Sequence, residues 1–514
     1  MQLNKTGYLD KVMGCWLGKN AGGTLGMPTE WFRQVNHVTF YTQDLKGEPV
    51  PNDDLDLQLV WLHALETHGI DLNSRTLADY WLLYVTPHYS EYGTGKSNLR
   101  FGLPPPLSGS VDNAYKDSCG AFIRSEIWAC IAPGLPAVAA RYAYEDAIVD
   151  HGNGEGTYAE VFTAALQSAA FVVSDLRQLV RIALSYLPSE CGVARAVRTV
   201  VTLVDAGKEW LEIRDEILRS HRGSAFFNLA SKISPDDIAK GFFDGQQGYD
   251  APSNIAIVVL ALLAGGDDFG RVLCTAVNCG EDTDCTAATA GATWGIIHGA
   301  TAIPERWVTP IGREIRTLCV NNAELYPPPP KTIEELTERT ARMAAQLLAR
   351  HPTMRLVDTV DTVDTVDTVD TVDADALVSP DYGAALYDSP NGPKFEFELF
   401  TVRLDYGDGP FVRNGEAKTL AVTIRSKVHI PAAMSLHWYL PEGWSVAPTA
   451  DAGVIVQQAW YNEAVTLRFT FACDRIRQVT NRLVLELTAA NRACVLHVPV
   501  TFLDGNVRPV VATG

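Results

Sequence analysis

From Val357 to Asp373 the chain repeats Val-Asp-Thr with a period of three. That period matches neither the 3.6 of a helix nor the 2.0 of a strand, and every third residue is charged. Such a stretch cannot bury a consistent face, so it reads as an extended acidic linker. It divides a 514-residue chain into two parts with different apolar spacing. The expected organisation is a helical domain over residues 1–350, a linker over 351–392 and a strand-rich domain over 393–514.

The first part follows helical spacing. Leu9, Val12, Met13, Trp16 and Leu17 form a 3,4-spaced apolar face, which Gly22-Gly23-Thr24-Leu25-Gly26-Met27-Pro28 should end or bend. Positions 176, 179, 180, 183, 184 and 187 mark an amphipathic helix ending at Pro188, and Asn254 to Leu263 reads as a core helix. Thr332 and Glu335 form a capping-box pattern. Residues 87–117, with Pro104-Pro105-Pro106 and several Gly and Ser, read as a loop. After Phe395 the spacing changes to period two. Phe395–Leu399, Thr419–Ile424, Leu436–Leu440, Val465–Phe471, Leu483–Leu487 and Val495–Phe502 read as strands. About seven short strands suggest an immunoglobulin-like β-sandwich.

Two acidic clusters stand out in the helical part. Cys279-Gly280-Glu281-Asp282-Thr283-Asp284-Cys285 leads into a run of Ala, Thr and Gly that reads as a closely packed buried helix. Asn52-Asp53-Asp54 precedes another apolar run. Carboxylates at a helix start are favoured by the dipole and the free N–H groups, and oxygen donors suit Mg²⁺ or Mn²⁺. The plainer reading of each cluster alone is a helix cap with a solvated acidic turn. Together they could converge as a two-metal site. Glu30, beside Trp31 and Phe32, is either an exposed loop glutamate or an acid–base group of raised pKa. Ser118-Cys119-Gly120 opens a further helix, either as a plain N-terminus or as an anion cradle. His151, in Asp150-His151-Gly152-Asn153-Gly154, is either a structural histidine or a pocket residue.

The stretches Gly14-Cys15-Trp16-Leu17-Gly18, Gly26-Met27-Pro28-Thr29-Glu30, Asn52-Asp53-Asp54 and Gly280-Glu281-Asp282-Thr283-Asp284 together resemble the ADP-ribosylglycohydrolase family, over about Gly7 to Trp307. The resemblance implies an all-α domain and two divalent cations, Mg²⁺ or Mn²⁺, held by Asp53, Asp54, Asp282 and Asp284. It implies a catalytic role for Glu30 and substrate contacts from the loop Ser118, Cys119 and Gly120 and from His151 and Gly154. Asn52 stands where a Thr ligand is usual, and Cys285 where Thr or Ser is usual. A cysteine ligand would tilt preference towards Mn²⁺ or Zn²⁺. The implied activity is hydrolysis of an ADP-ribosyl N- or O-glycosidic bond. The alternatives are another glycoside or nucleoside at the same site, and a non-catalytic ADP-ribose or sugar-binding protein. The sandwich is similar to accessory domains of carbohydrate-active enzymes.

The expected partner is a small-molecule or ADP-ribosylated substrate. A net charge of −19 argues against non-specific binding to nucleic acid or acidic membranes. There is no run long enough for a membrane span and no signal-peptide core at the N-terminus, which points to the cytoplasm. The 10 cysteines contain no CxxC pair and read as reduced core residues.

Overall fold

A computed structural model describes residues 1–221, 232–242, 248–358, 373–490, 492–493 and 495–507. Most of the Val-Asp-Thr repeat lies outside these residues. Up to Arg350 the described chain is helical apart from short two- and three-residue strands. These are β1 (Gln2–Asn4), which pairs in parallel with β4 (Arg355–Val357), and β2 (Phe32–Arg33), which pairs with β3 (Lys232–Ile233).

Two helices form the spine. α1 (Lys5–Gly26) starts at Asn4, whose side chain accepts the Gly7 N–H, and it is buried nearly all round from Gly14 onward. It lies against the Thr283–His298 helix along a row of small residues. A Cβ on Gly18 would sit 2.1 Å from the Gly291 carbonyl oxygen, and one on Gly22 would sit 2.1 Å from that of Ala287. Gly26 meets Thr283 in the same way at 2.2 Å. The helix ends at Gly26, within the stretch from Gly22 to Pro28 expected to end or bend it, while Gly22 and Gly23 themselves lie inside it. Helical glycine costs about 1 kcal/mol of propensity, but here it permits two backbones to touch, and α1 continues to Gly26.

The expected loop over 87–117 is also corrected. It contains a helix at Ser90–Arg100 and a helical turn at Leu107–Ser110. The former is polar in composition yet buries Glu91, Tyr92, Lys96 and Asn98. Thr332 caps the Ile333–Arg350 helix by accepting the Glu335 N–H at 3.2 Å, while the Glu335 carboxylate reaches the Lys331 N–H instead of closing the box. Among the described helices none is long and apolar enough to cross a membrane.

The C-terminal strands build two five-stranded sheets around one core. The first has the order β10 (Trp444–Ala447), β12 (Ala464–Cys473), β8 (Lys418–Ser426), β6 (Phe400–Asp405), β5 (Lys394–Glu396). The second has the order β11 (Asp451–Val456), β9 (Ala432–Tyr439), β13 (Thr480–Ala489), β14 (Val495–Asp504), β7 (Phe411–Val412). Every pairing is antiparallel except β14 with β7. Alternation along β9, buried at Ala432, Met434, Leu436 and Trp438, is what one covered face produces. The structure adds β6, β7, β10 and β11 to the strands expected from the alternation.

Leu103, Leu107 and Val111, from the helical part, belong to the core of the sandwich. The Gly102 carbonyl accepts the Thr501 hydroxyl at 2.9 Å, and the Arg75 guanidinium lies over the Phe395 ring. The segment Ala374–Leu377 and the helix Pro380–Leu386 pack back on the helical part, where the Tyr186 hydroxyl donates to the Leu377 carbonyl at 2.9 Å.

Candidate metal centre and cavity

Three chain segments meet at the end of the spine. Asp53 opens α2 (Asp53–His68), whose cap is Asn52. Asp282 stands at the start of the Thr283–His298 helix, with Asp284 in its first turn. Glu30 follows α1 after one tight turn.

Asn52 ties the two acidic clusters. Its Oδ1 accepts the Asp54 N–H at 2.9 Å, and its Nδ2 donates to Asp284 Oδ2 at 3.0 Å. Donor atoms of Asp54, Asp284 and Cys285 lie within 4.8 Å of one another, as do those of Glu30, Asp282 and Asp284. Asp284 therefore belongs to two adjacent donor sets. Cys285 Sγ is 3.6 Å from Asp54 Oδ1. Asp53 lines the same cavity, with its Oδ2 accepting the Tyr92 hydroxyl at 2.9 Å.

The electrostatics of this cluster suit a cation. Burial, then Asp284, Asp53 and Asp54, push the Glu30 carboxyl up to about 10. Burial, followed by Asp284 and Glu30, raises Asp282 well above the carboxylate range, and burial likewise raises Asp54 despite the opposing pull of Lys19. Oδ1 of Asp282 and Oδ1 of Asp284 are buried without a donor among the described residues. Buried carboxylates this close together need protons or cations between them. Oxygen donors on rigid helix starts fit hard divalent ions, and the sulfur of Cys285 adds a softer donor to one set.

One permanent cation is built in. Lys19, on α1, is 1 % exposed, and its Nζ stands 3.2 Å from Asp54 Oδ2 and 3.2 Å from Glu126 Oε1. Gln58 and Gln167 donate to the same Glu126 carboxylate.

A strap fastens Glu30 to the second cluster. Trp31 N donates to the Glu281 carbonyl at 3.0 Å, and Glu281 N donates to the Phe32 carbonyl at 3.1 Å. The Arg33 guanidinium grips the buried Glu281 carboxylate at 2.6 and 2.8 Å. Trp31 and Glu281 both take left-handed backbone conformations (φ 65° and 69°), a strain that the surrounding contacts must hold.

The cluster opens into a cavity of about 440 Å³. Glu30, Asn52, Asp53, Asp282, Asp284 and Cys285 line it, with Glu91, Cys119 and Gly120 and the aromatic rings of Trp31, Tyr89, Tyr92 and Tyr249. Of the expected substrate contacts, Cys119 and Gly120 are on the wall. Ser118, His151 and Gly154 lie behind it. His151 is fully buried, with Nε2 3.0 Å from the Ser118 hydroxyl and Nδ1 2.9 Å from Asp150. A Cβ on Gly154 would sit 2.1 Å from the Lys116 carbonyl oxygen, so close backbone approach accounts for that glycine. Arg124 connects these layers, with bonds to the Gly120 carbonyl, Asp150 and Asp146.

Sequence reasoning missed Lys19, Arg33, Glu91 and the tyrosines. Lys19 alone had a signal, the one charge in the helical run from Val12 to Gly26.

A sequence profile of the ADP-ribosylglycohydrolase family matches residues 4–349. An uncharacterized protein of Archaeoglobus fulgidus is 28 % identical over 323 residues, covering 58 % of this chain and 90 % of that protein. Among solved structures, one titled "ADP-ribosylglycohydrolase-related protein complex" aligns over 66 % of this chain and 99 % of its own, at 18 % identity and a TM-score of 0.43. A FixG-related protein from Vibrio parahaemolyticus aligns over 21 % of this chain and 99 % of its own, at 11 % identity and a TM-score of 0.17.

Proposed function

This chain belongs to the ADP-ribosylglycohydrolase family, and from that premise we propose that it hydrolyses ribosyl N- or O-glycosidic bonds, ADP-ribosyl bonds foremost, with two divalent cations, Mg²⁺ or Mn²⁺. The observation that carries the proposal is Asp284, shared by two donor sets that together include Asp54, Cys285, Glu30 and Asp282. Asp54, Asp282 and Asp284 would hold the ions, with Asp53 beside them. Divalent cations supply Lewis acidity and fixed positive charge at such a site.

The chain's own groups do the rest. Glu30 sits at the edge of the cluster and on the cavity wall; divalent cations among the neighbouring carboxylates would keep it ionised there, so that its carboxylate can take the proton of an attacking water. The water oxygen forms a bond to the anomeric carbon, the bond to the aglycone breaks, and its electron pair leaves with the aglycone. Asn52 keeps the two acidic clusters in register through its paired bonds. The rings of Trp31, Tyr89, Tyr92 and Tyr249 offer flat faces to the substrate and exclude water around it.

A second reading, hydrolysis of another glycoside or a nucleoside, draws support from the same wall. Among the described residues, five carboxylates and four aromatic rings line the cavity, and no Lys, Arg or His side chain does. A diphosphate gains most where cationic side chains meet it.

The test is a panel of ADP-ribosyl peptides, free nucleosides and nitrophenyl glycosides, each with Mn²⁺ and with Mg²⁺. Asp284→Ala should abolish hydrolysis and weaken divalent-ion binding by more than the roughly 10–100-fold typical of outer-sphere changes. Its circular dichroism should match the wild type. Unchanged Mn²⁺ affinity in that variant would sink the proposal. No turnover of any substrate with the metal bound would leave a sugar-binding protein.

A further inference from the structure

We propose that the chain forms a twofold homodimer through β11, whose free edge pairs antiparallel with the same strand of a second copy. β11 is the last strand of its sheet. Among the described residues, Ala452–Val456 make backbone pairs with β9 alone. The far side of the strand therefore presents a row of N–H and C=O groups with no backbone partner among the described residues.

Soluble proteins blunt such edges with charge, proline or brevity. Three of the four sheet edges here follow that rule. β5 carries Lys394 and Glu396, β7 has two residues, and β10 runs into Pro448. β11 does not. From Ala452 to Val456 it reads Ala-Gly-Val-Ile-Val, with neither charge nor proline. The one charge on the strand, Asp451, is at its end and is already bonded to His437 at 2.7 Å.

The exposed side chains continue this apolar strip. Ile455 is 62 % exposed, and beyond the end of the strand Ile430, Trp460 and Tyr461 are 53, 72 and 63 % exposed. Trp460 is not on a loose tip. It lies on a turn anchored by the Ala459 N–H to the Val428 carbonyl at 2.8 Å, with its ring 4.9 Å from that of His429. Large aromatics held in place on a surface are typical of interfaces.

The sequence of the strand suits its own copy. An antiparallel pair with its axis at Val454 sets Val454 against itself and sets Ile455 opposite Gly453 of the partner subunit. Residues directly opposite in an antiparallel pair share a face. A Cβ on Gly453 would find nothing nearer than 4.0 Å, so that position has room for an isoleucine. The contact is isologous and closes at two copies.

Sedimentation velocity on the full chain, up to about 100 μM, tests this in a range where even weak association is visible. The wild type should sediment as a dimer, and so should Ile455→Val. Ile455→Lys would put two like charges at the interface, and its dimer should weaken at least about tenfold with unchanged circular dichroism and Mn²⁺ affinity. A wild-type chain that stays monomeric overturns the proposal. So does a dimer indifferent to Ile455→Lys.

Discussion

The ammonium of Lys19 sits 3.2 Å from Asp54, with both side chains sealed from solvent and Glu126 on the other side of the cation. A lysine is buried there only because two carboxylates surround it. Lys19→Met should leave Asp54 and Glu126 as unpaired buried charges and destabilise the fold by about 3–5 kcal/mol. Urea denaturation measures this, and Lys19→Met combined with Glu126→Gln should recover part of the loss. Equal midpoints for the wild type and Lys19→Met would show that the pair contributes nothing.

Gly22→Ala and Gly7→Ala should act in opposite directions, although both glycines are on α1. A Cβ at position 22 meets the Ala287 carbonyl oxygen at 2.1 Å, so the two spine helices must part. Overpacking of this kind costs about 1–3 kcal/mol or more. It would also move Asp284 away from Asn52 and lower divalent-ion affinity. At position 7 a Cβ finds nothing within 4 Å, and alanine should stabilise the helix by up to about 1 kcal/mol. Thermal melts of both variants check the sign.

Glu396 should give the sandwich a small acid sensitivity. Burial raises its carboxyl, but hydrogen bonds from Lys394 and Lys427 prevail and hold it at about 2. A carboxylate depressed in the folded state stabilises fully above its unfolded pKa of about 4.3 and loses that contribution as pH falls towards the folded value. The side chain is about 30 % exposed, so the effect should stay below about 1 kcal/mol. Urea midpoints taken down to about pH 3 should fall more steeply for the wild type than for Glu396→Gln. Parallel curves would count against the assignment.

The acidic clusters were legible because each is local. A carboxylate pair two residues apart at a helix start announces itself within one turn, and the apolar spacing around Asp53 and Asp282 places the helices. Lys19 was not legible as a partner of Asp54, since its meaning depends on a carboxylate 35 positions away and another, Glu126, further still. Arg33 and Glu281 are hidden for the same reason. Within the stretch from Gly22 to Pro28 the exact end of α1 was not legible, because local propensity says nothing of a second backbone lying alongside. The Ser90–Arg100 helix was lost among glycines and serines, yet it is secured by the burial of Glu91, Tyr92 and Lys96. β6 alternates buried residues with more exposed ones from Phe400 to Asp405 and was readable in principle. β7, at two residues, was not.

Leu103, Leu107 and Val111 leave the helical part and finish the interior of the sandwich. Gene fusion is usually pictured as joining finished modules with a tether, so that either can later be lost. Here the inheritance is shared, because one part lends the other three of its interior side chains. A descendant that discarded the sandwich would expose that apolar knuckle and would be selected to make it polar. The character of these three positions in relatives should thus record whether each lineage kept the second domain.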